Sequence, residues 1–494
     1  MNLTTQGRLE NPIIHQRYRN LPAGMFVETD PSPAPAPELI ELNLALLEEY
    51  GVDSAWFQTS DGLSVLAGQT THPVNKPIAM AYSGHQFGQW VPSLGDGRAH
   101  MLGQMVTRNN ISIDVQLKGS GQTQFSRRGD GRATLGSVLR EYLISEAMAG
   151  LGIPSTRSLA VITTGEPVFR ERAFPGAILA RTASSHLRVG SFQYANTNLG
   201  STAVKTLADF MISHHYPELA KASAPYLALL DAVTERQARL IAQWMLVGFI
   251  HGVMNTDNMS IAGETIDFGP CAFIDEFHPE KVFSSIDYDG RYALDQQPSI
   301  AYWNLARFAE TLLPLLDIDK TNAIAMAEER LALFVPRFKD AFYEGMHRKL
   351  GLGARNAGTD KFIDTTLSAL AEHTIDYTVF FTRLTRIASG EPDETLAPFF
   401  AHRSQAEEWI GQWRQLAPTG QDRHISMRQT NPVVIARNHR VEQAIAAATE
   451  NGDYIPFRRL CTILAKPFDV SPADSEYETP PLPEERVRET FCGT

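Results

Sequence analysis

A chain of 494 residues with 43% hydrophobic and 20% charged side chains has material for two or three domains with substantial cores, and its composition excludes a fibrous or largely disordered protein. A net charge of −12 argues against a nucleic-acid partner held through phosphate contacts. Three scattered cysteines, Cys271, Cys461 and Cys492, are too few for a disulfide framework or a zinc site, so a reducing compartment is expected.

The opening residues Met1–Gln6 lack the charged-then-apolar build of a secretory signal. No apolar run is long enough to span a bilayer; the longest, near Met245–Ile250, is interrupted by Gly248. The expectation is a cytoplasmic protein with no membrane partner. Residues 1–28 read as an irregular lead-in, and Thr29–Pro37 as a short extended linker, because repeated proline fixes φ and removes backbone donors. A helix is expected from Glu38, dense in leucine and stopped by Gly51. From Ser83 to Lys118 the chain becomes glycine-punctuated and strand-like, and the alternation of Ile111–Lys118 predicts a half-buried strand ending on a lysine. A polar, arginine-bearing loop follows from Gly119 to Arg132. A helix begins near Thr134, and further strands are expected around Leu159–Thr163 and Ala177–Thr182. Beyond about Ser191 the pattern is helical, over 203–214, 224–250, 299–315, 321–345 and 361–388. The tail from Pro467 to Thr494 reads as an extended arm or a mobile segment. No internal repeat is present, which removes solenoid architectures.

The most specific chemistry lies at 251–269. A long apolar helix runs into His251, Asn258 stands seven residues on, and Asp267-Phe268-Gly269 comes nine residues after that. Protein kinases hold the metal on nucleotide phosphates with an Asn and an Asp in this arrangement. The position of the usual kinase base is Val253, whereas an extra acid, Asp257, precedes Asn258. Asp257 is either a loop-capping residue or a proton acceptor, and the missing acid at Val253 favours the latter. His251 reads as a buried brace for the loop. Gly95-Asp96-Gly97-Arg98 is either a tight turn or a phosphate loop whose glycines let backbone N–H groups approach an anion. Lys118, 23 residues beyond Gly95, is either a surface strand-end lysine or a phosphate-gripping one paired with Glu141, or alternatively Glu146, on the next helix. Arg127, Arg128, Arg132, Arg181 and Arg188 have ordinary surface readings unless a polyphosphate needs cations on more than one side. Gly290-Arg291-Tyr292 and the run to Arg307 read mainly as core packing around Trp303 and Phe308, and Asn431–Arg440 as the loop opening a helix. An approach of Cys271 to Cys492 would make a redox latch.

Together these segments resemble the selenoprotein O family, pseudokinase-like protein adenylyltransferases. The matching stretches are Gly84–Gly88, Gly95–Arg98, Gln116–Gly121, Arg127–Arg132, His251–Asn258, Asp267–Pro270, Gly290–Arg307 and Asn431–Arg440. The resemblance implies an α+β, protein-kinase-like two-lobed fold: a mixed β/α N-lobe with its extension over 1–190, a large helical C-lobe over 191–466 and a tail over 467–494. It implies transfer of AMP from ATP, bound in a flipped orientation, to Ser, Thr or Tyr hydroxyls of protein substrates. Gly95, Gly97, Arg98, Lys118, Asp130, Gly131, Arg181, Arg188 and Asp267 would contact the nucleotide. Asn258 and Asp267 would hold Mg²⁺, with Mn²⁺ as the other candidate, and Asp257 would accept the proton. A monomer is expected. Uridylyl transfer, a true kinase and an inactive nucleotide-binding scaffold are the rival readings. Where eukaryotic members carry selenocysteine near the C-terminus, this chain has Cys492.

Overall fold

In the computed structural model of the protein, residues 10–71, 75–417, 423–469 and 471–491 are described. The fold is mixed α+β, with a sheet-containing N-terminal region and a helical C-terminal region. The strands are β1 (Phe26–Glu28), β2 (Glu38–Leu42), β3 (Ile78–Met80), β4 (Gly84–Gln86), β5 (Gln89–Val91), β6 (Ala99–Val106), β7 (Ser112–Lys118), β8 (Ala133–Thr134), β9 (Arg157–Phe169), β10 (Ala173–Ala183), β11 (Phe249–Ile250) and β12 (Ala272–Phe273). The main sheet runs β1-β3-β6-β7-β10-β9-β2 with antiparallel neighbours, β8 pairs with β10, and β4–β5 is a separate hairpin.

The helix expected from Glu38 begins instead as strand β2. Asn43, its side chain accepting from Leu46 N, starts the shorter helix α1 (Leu44–Tyr50), which Gly51 stops at φ 69° as expected.

Alternation along β7 separates two cores. Val115 and Leu117 join Trp56, Phe57 and Leu66 on one face, while Leu179 and Met101 of neighbouring strands join Val138 and Leu139 on the other. The second face is covered by α2 (Leu135–Gly150), whose start is capped by the Thr134 hydroxyl accepting from Ser137 N. The strand expected to be half-buried is therefore interior: Asp114 and Gln116 are fully buried with their apolar neighbours. They are tolerated because they are bonded. Asp114 accepts from Tyr18, Arg17, Gln104 and His186, and Gln116 bridges Asp96 and Arg181.

Other expectations change further along the chain. The stretch 321–345 is two helices, Lys320–Leu331 and Phe334–Leu350. So is 361–388, where Thr374 at φ 49° and Asp376, capping Val379 N, separate Ala357–Glu372 from Tyr377–Ala388. The linker over 29–37 is extended but packed: Ala34 is buried, and Ser32 N donates to Ser120 O. The tail contains a helical turn at Pro472–Glu478, and Thr490 bridges to Ser284. Cys492 lies outside the described residues.

The long helix α3 (Pro225–Val247) ends on Gly248 at φ 69° and delivers the chain into β11 and the 251–269 segment. Among the described residues no helix is long and apolar enough to cross a membrane. Arg437, fully buried, pairs with Asp376 at 2.8 Å and with Asp275, tying the stretch after Asp267 to two helices. Removing one member of such a network strands the others without compensation. Arg437→Ala is expected to cost about 3–5 kcal/mol, read as a lowered midpoint in urea denaturation monitored by tryptophan fluorescence. An unchanged midpoint would show that the pair contributes nothing net.

Candidate active site

The register of the sheet sets the basic side of the site. Leu179 of β10 pairs with Lys118 and Arg181 with Gln116, so Lys118 and Arg181 share the face that carries α2. Glu141 on α2 meets both, at 2.6 Å from Lys118 Nζ and 2.8 Å from Arg181 Nη1. Glu146, the alternative partner, instead takes Arg157 at 2.9 Å. Gln116 Oε1 accepts from Arg181 Nε and Nη2 at 2.9 and 2.7 Å, which fixes the guanidinium plane.

Asp267 arrives from the other direction, after the 251–266 segment docks on the sheet region. Thr265 bridges to Ser155, and Thr265 N donates to Pro154 O. The Asp267 carboxylate accepts from Lys118 at 2.8 Å, Arg181 at 2.8 Å and Arg188 at 2.5 Å. Its backbone sits at φ 63°, a left-handed conformation that Asp tolerates better than most residues. Burial alone would raise its pKa, but Arg188, Lys118 and Arg181 hold it well below the usual carboxylate range. Glu141 is likewise held low by Lys118 and Arg181 against the effect of burial. Of the residues expected to converge, Lys118, Glu141 and Asp267 are joined directly, whereas Asn258 makes no side-chain bond to them.

Asp257 stands beside this cluster in a different environment. It is 6% exposed; its Oδ2 accepts from Gln86 at 3.3 Å, and its Oδ1 has no hydrogen-bond partner. Burial pushes its pKa up to about 6. Arg188 Nη1 reaches both the Asp257 carbonyl, at 2.7 Å, and Asp267, so one guanidinium couples the two acids. The β4–β5 hairpin walls Asp257 in. Gly84 is required there, because a Cβ would stand 2.2 Å from Asp257 Oδ1. His85 N donates to Thr256, Phe87 N to Asn255 Oδ1 and to Tyr292 OH, and Tyr292 OH donates to Asn255. Asn258 Nδ2 donates to Val253 O at 2.9 Å. His251 is buried, its Nε2 2.9 Å from Ile266 O and its pKa lowered by burial, as a bracing histidine requires.

The glycine loop packs close to the sheet. Cβ atoms at Gly95 and Gly97 would collide with the Phe125 ring and carbonyl, at 2.3 and 2.8 Å. Thr123 and Ser126 hydroxyls donate to the carbonyls of Asp96 and Gly97, so the 119–132 loop lies over residues 95–98, and Arg98 O accepts from Gly119 N. Asp130 is placed apart from the cluster, paired at the surface with Arg170 at 2.7 Å, which lowers its pKa. Gly131, at φ 69°, approaches Gly121 too closely for any side chain. Sequence reasoning misses Gln116, Gln86, Asn255 and Tyr292 as parts of the site. The alternation that places Gln116 beside Asp114 on β7 is the signal available for the first.

Among the described residues no group of three or more His, Cys, Asp or Glu side chains could hold a metal ion by itself. Asp267 and Asn258 nevertheless suit a hard cation shared with phosphates, since Mg²⁺ takes one or two carboxylates and completes its shell with phosphate and water oxygens. With Asn258 Nδ2 donating to Val253 O, its Oδ1 is the atom that would be left for a cation. Three cations face two carboxylates in the cluster, a surplus of one positive charge suited to an anionic substrate.

The sequence model of the family described as protein adenylyltransferase SelO matches residues 11–465. The chain is 52% identical over 506 residues to the protein nucleotidyltransferase YdiU of Shewanella denitrificans, covering 100% of both chains. It is 53% identical over 481 residues to the protein of the same name from Bradyrhizobium sp. strain BTAi1, covering 97% of this chain and 98% of that one. A third, from Methylorubrum extorquens, is 51% identical over 488 residues, covering 97% of this chain and 98% of that one.

The raised pKa of Asp257 links folding stability to pH. Protonation favours the folded state between the ordinary Asp value, near 4, and about 6, so stability falls as pH rises through that window and is level above it. Asp257→Asn removes this loss. The variant is expected to be more stable than wild type by on the order of 2–3 kcal/mol at pH 8 and about equal at pH 4, by thermal denaturation without nucleotide. A difference that does not change with pH would contradict the burial-driven shift.

Proposed function

The chain belongs to the SelO family of protein adenylyltransferases and is a protein nucleotidyltransferase; we propose that it moves AMP from ATP to Ser, Thr or Tyr hydroxyls and releases pyrophosphate. What supports this reading best is the pairing of a cation-rich cluster, Lys118, Arg181 and Arg188 around Glu141 and Asp267, with a buried carboxylate oxygen, Asp257 Oδ1, that no protein group satisfies. On this reading the sheet region, with its extension over 1–190, and the helical region over 191–466 are the two lobes of a kinase-like fold. Residues 467–494 form its tail.

The proposed roles derive from charge and position. Lys118, Arg181 and Arg188 bind the phosphates and stabilise the charge that collects on departing pyrophosphate. Gly95, Gly97 and Arg98 approach the nucleotide from the loop, and Asp130 and Gly131 set the loop that covers it. Asp267 and Asn258 would hold Mg²⁺, or Mn²⁺ in its place, which supplies Lewis-acid neutralisation of phosphate oxygens when bound. Asp257 takes the acceptor's proton as the hydroxyl oxygen bonds to the α-phosphorus and the bond to pyrophosphate breaks. A pKa of about 6 leaves it mostly ionised at neutral pH yet basic enough to help. The cytoplasm, with its ATP, and a monomeric state complete the proposal.

Incubation with ATP labelled at the α- or the γ-phosphate tests it. Retained α-label is expected on protein targets, lost with Asp267→Ala; retained γ-label would indicate a kinase instead, and α-label from UTP in preference to ATP a uridylyltransferase. Asp257→Asn is expected to lower kcat by about 10²–10⁴-fold and to remove the acid limb near pH 6 from the pH–rate profile. An unchanged rate would remove Asp257 from the chemistry.

A further inference from the structure

The hairpin whose base faces Asp257 packs at its tip against a basic patch, Arg291, Trp303 and Arg307, that the proposed nucleotide chemistry does not use. Arg291 and Arg307 both lie over the ring of Trp303, each with its guanidinium carbon 5.0 Å from the ring centroid. They are thus within about one Debye length of each other at ordinary salt, roughly 10 Å, where like charges still repel. A Cβ at Gly88, in the turn of the hairpin, would stand 3.5 Å from the Arg291 guanidinium carbon. His85 of β4 packs against Trp303 at 5.1 Å and against the exposed Trp90 at 4.8 Å.

Neither arginine is held in a buried ion pair. Among the described residues Arg291 has no carboxylate within ion-pair distance. The neighbouring Asp287 accepts instead from the backbone N–H groups of Arg291 and Tyr292. Arg307 meets only Glu310, at 2.6 Å, a half-exposed acid one helical turn away, and such surface pairs contribute little. The Nε atoms of Arg291 and Arg307 are both buried with no hydrogen-bond partner. Burial lowers the pKa of His85, and the two charges reach it and lower it further. In a chain of net charge −12, two guanidiniums over one tryptophan, with a single half-exposed carboxylate paired to one of them, are a local excess of positive charge. Stacking covers a guanidinium face and leaves its in-plane N–H donors for carboxylates.

Connectivity sets this patch beside the acceptor position. Gln86, two residues before Gly88, donates to Asp257, and Tyr292, next to Arg291, donates to Asn255 at 2.6 Å. A polypeptide presenting a hydroxyl to Asp257 would therefore run its flanking residues past Arg291 and Arg307. We propose that Arg291, Arg307 and Trp303 form the docking surface for the acceptor protein, selecting a segment with acidic residues flanking the modified hydroxyl. This rests on the reading of Asp257 as the group beside the acceptor.

Binding and transfer are measured separately, so that the two readings fail separately. The probes are fluorescent peptides with a central tyrosine flanked by glutamates, by alanines or by lysines, monitored by anisotropy. The glutamate peptide is expected to bind at least about tenfold more tightly than the alanine peptide, to weaken with salt, and to lose its advantage in Arg291→Glu/Arg307→Glu. The milder Arg291→Gln/Arg307→Gln guards against a misfolded variant, and nucleotide affinity, expected to be unchanged in both, reports an intact fold. Equal binding of the three peptides by the wild type would overturn the proposal. So would a glutamate preference that survives in a variant retaining nucleotide affinity. Acidic preference without transfer of α-label would sustain this surface while refuting adenylyl transfer.

Discussion

The structure around the site depends on one interaction, the shared ion cluster of Lys118, Glu141, Arg181, Asp267 and Arg188. Its five members come from β7, α2, β10, the stretch after β11 and the turn that leaves β10. Buried charges are costly alone and stable only when paired and hydrogen-bonded. Each of these elements is therefore held to its neighbours by what the others would lose. Arg140, one residue before Glu141, extends the same tie: its Nε and Nη2 donate to the carbonyls of Gly269 and Cys271 and its Nη1 pairs with Glu442. Helix α2 is thus anchored both to the Asp267 stretch and to the helices that close the chain.

That arrangement also explains how the turn over 184–188 can carry a critical arginine. Asp114, fully buried, accepts from the His186 backbone and ring and from the Tyr18 hydroxyl, while Arg17 reaches Ser184 O and Glu264 accepts from Ser184 N. The lead-in over 15–19, which carries no motif, thereby fixes the direction in which Arg188 leaves the sheet. A loop held from three sides can present a side chain with the precision usually found on a strand.

Much of this arrangement is legible in the amino-acid sequence, and the remainder is not, for identifiable reasons. The spacing of Lys118, Glu141, Asn258 and Asp267 is encoded in short local patterns, so all four can be expected at one site; ion pairs join Lys118, Glu141 and Asp267, whereas the Asn258 side chain bonds to Val253 O. Arg181 can be named but not placed, because its position opposite Gln116 depends on strand pairing across 65 residues. The strand at 38–42 reads as helix because Leu39, Ile40, Leu42 and the leucines beyond have no clear period, and only Asn43 marks the change. The break before Phe334 is signalled weakly, by Pro336 in the first turn of the new helix. Burial of Asp114 and Gln116 is invisible, since alternation cannot distinguish a polar face toward water from a polar network between two layers.

The two aspartates of the 251–269 segment differ in proton affinity because of their surroundings and not their residue type. Asp267 is surrounded by three cations and stays ionised far into acid, which suits a carboxylate that must hold positive charge without exchanging protons. Asp257, ten residues earlier, has burial without direct ion pairing; Arg188 touches its carbonyl rather than its carboxylate. Its proton affinity is therefore raised toward the range where a base can accept a proton and release it again. Pairs of acids driven apart in this way mark separate roles in a site. Arg188, with Lys118 and Arg181, holds Asp267 down by direct pairing, while at Asp257 it bonds only the carbonyl and its pull on the carboxylate is outweighed by burial, which is what keeps the two acids apart. That difference is what the proposed transfer requires: one acid fixed in charge beside the phosphates, and one free to change its charge beside the hydroxyl.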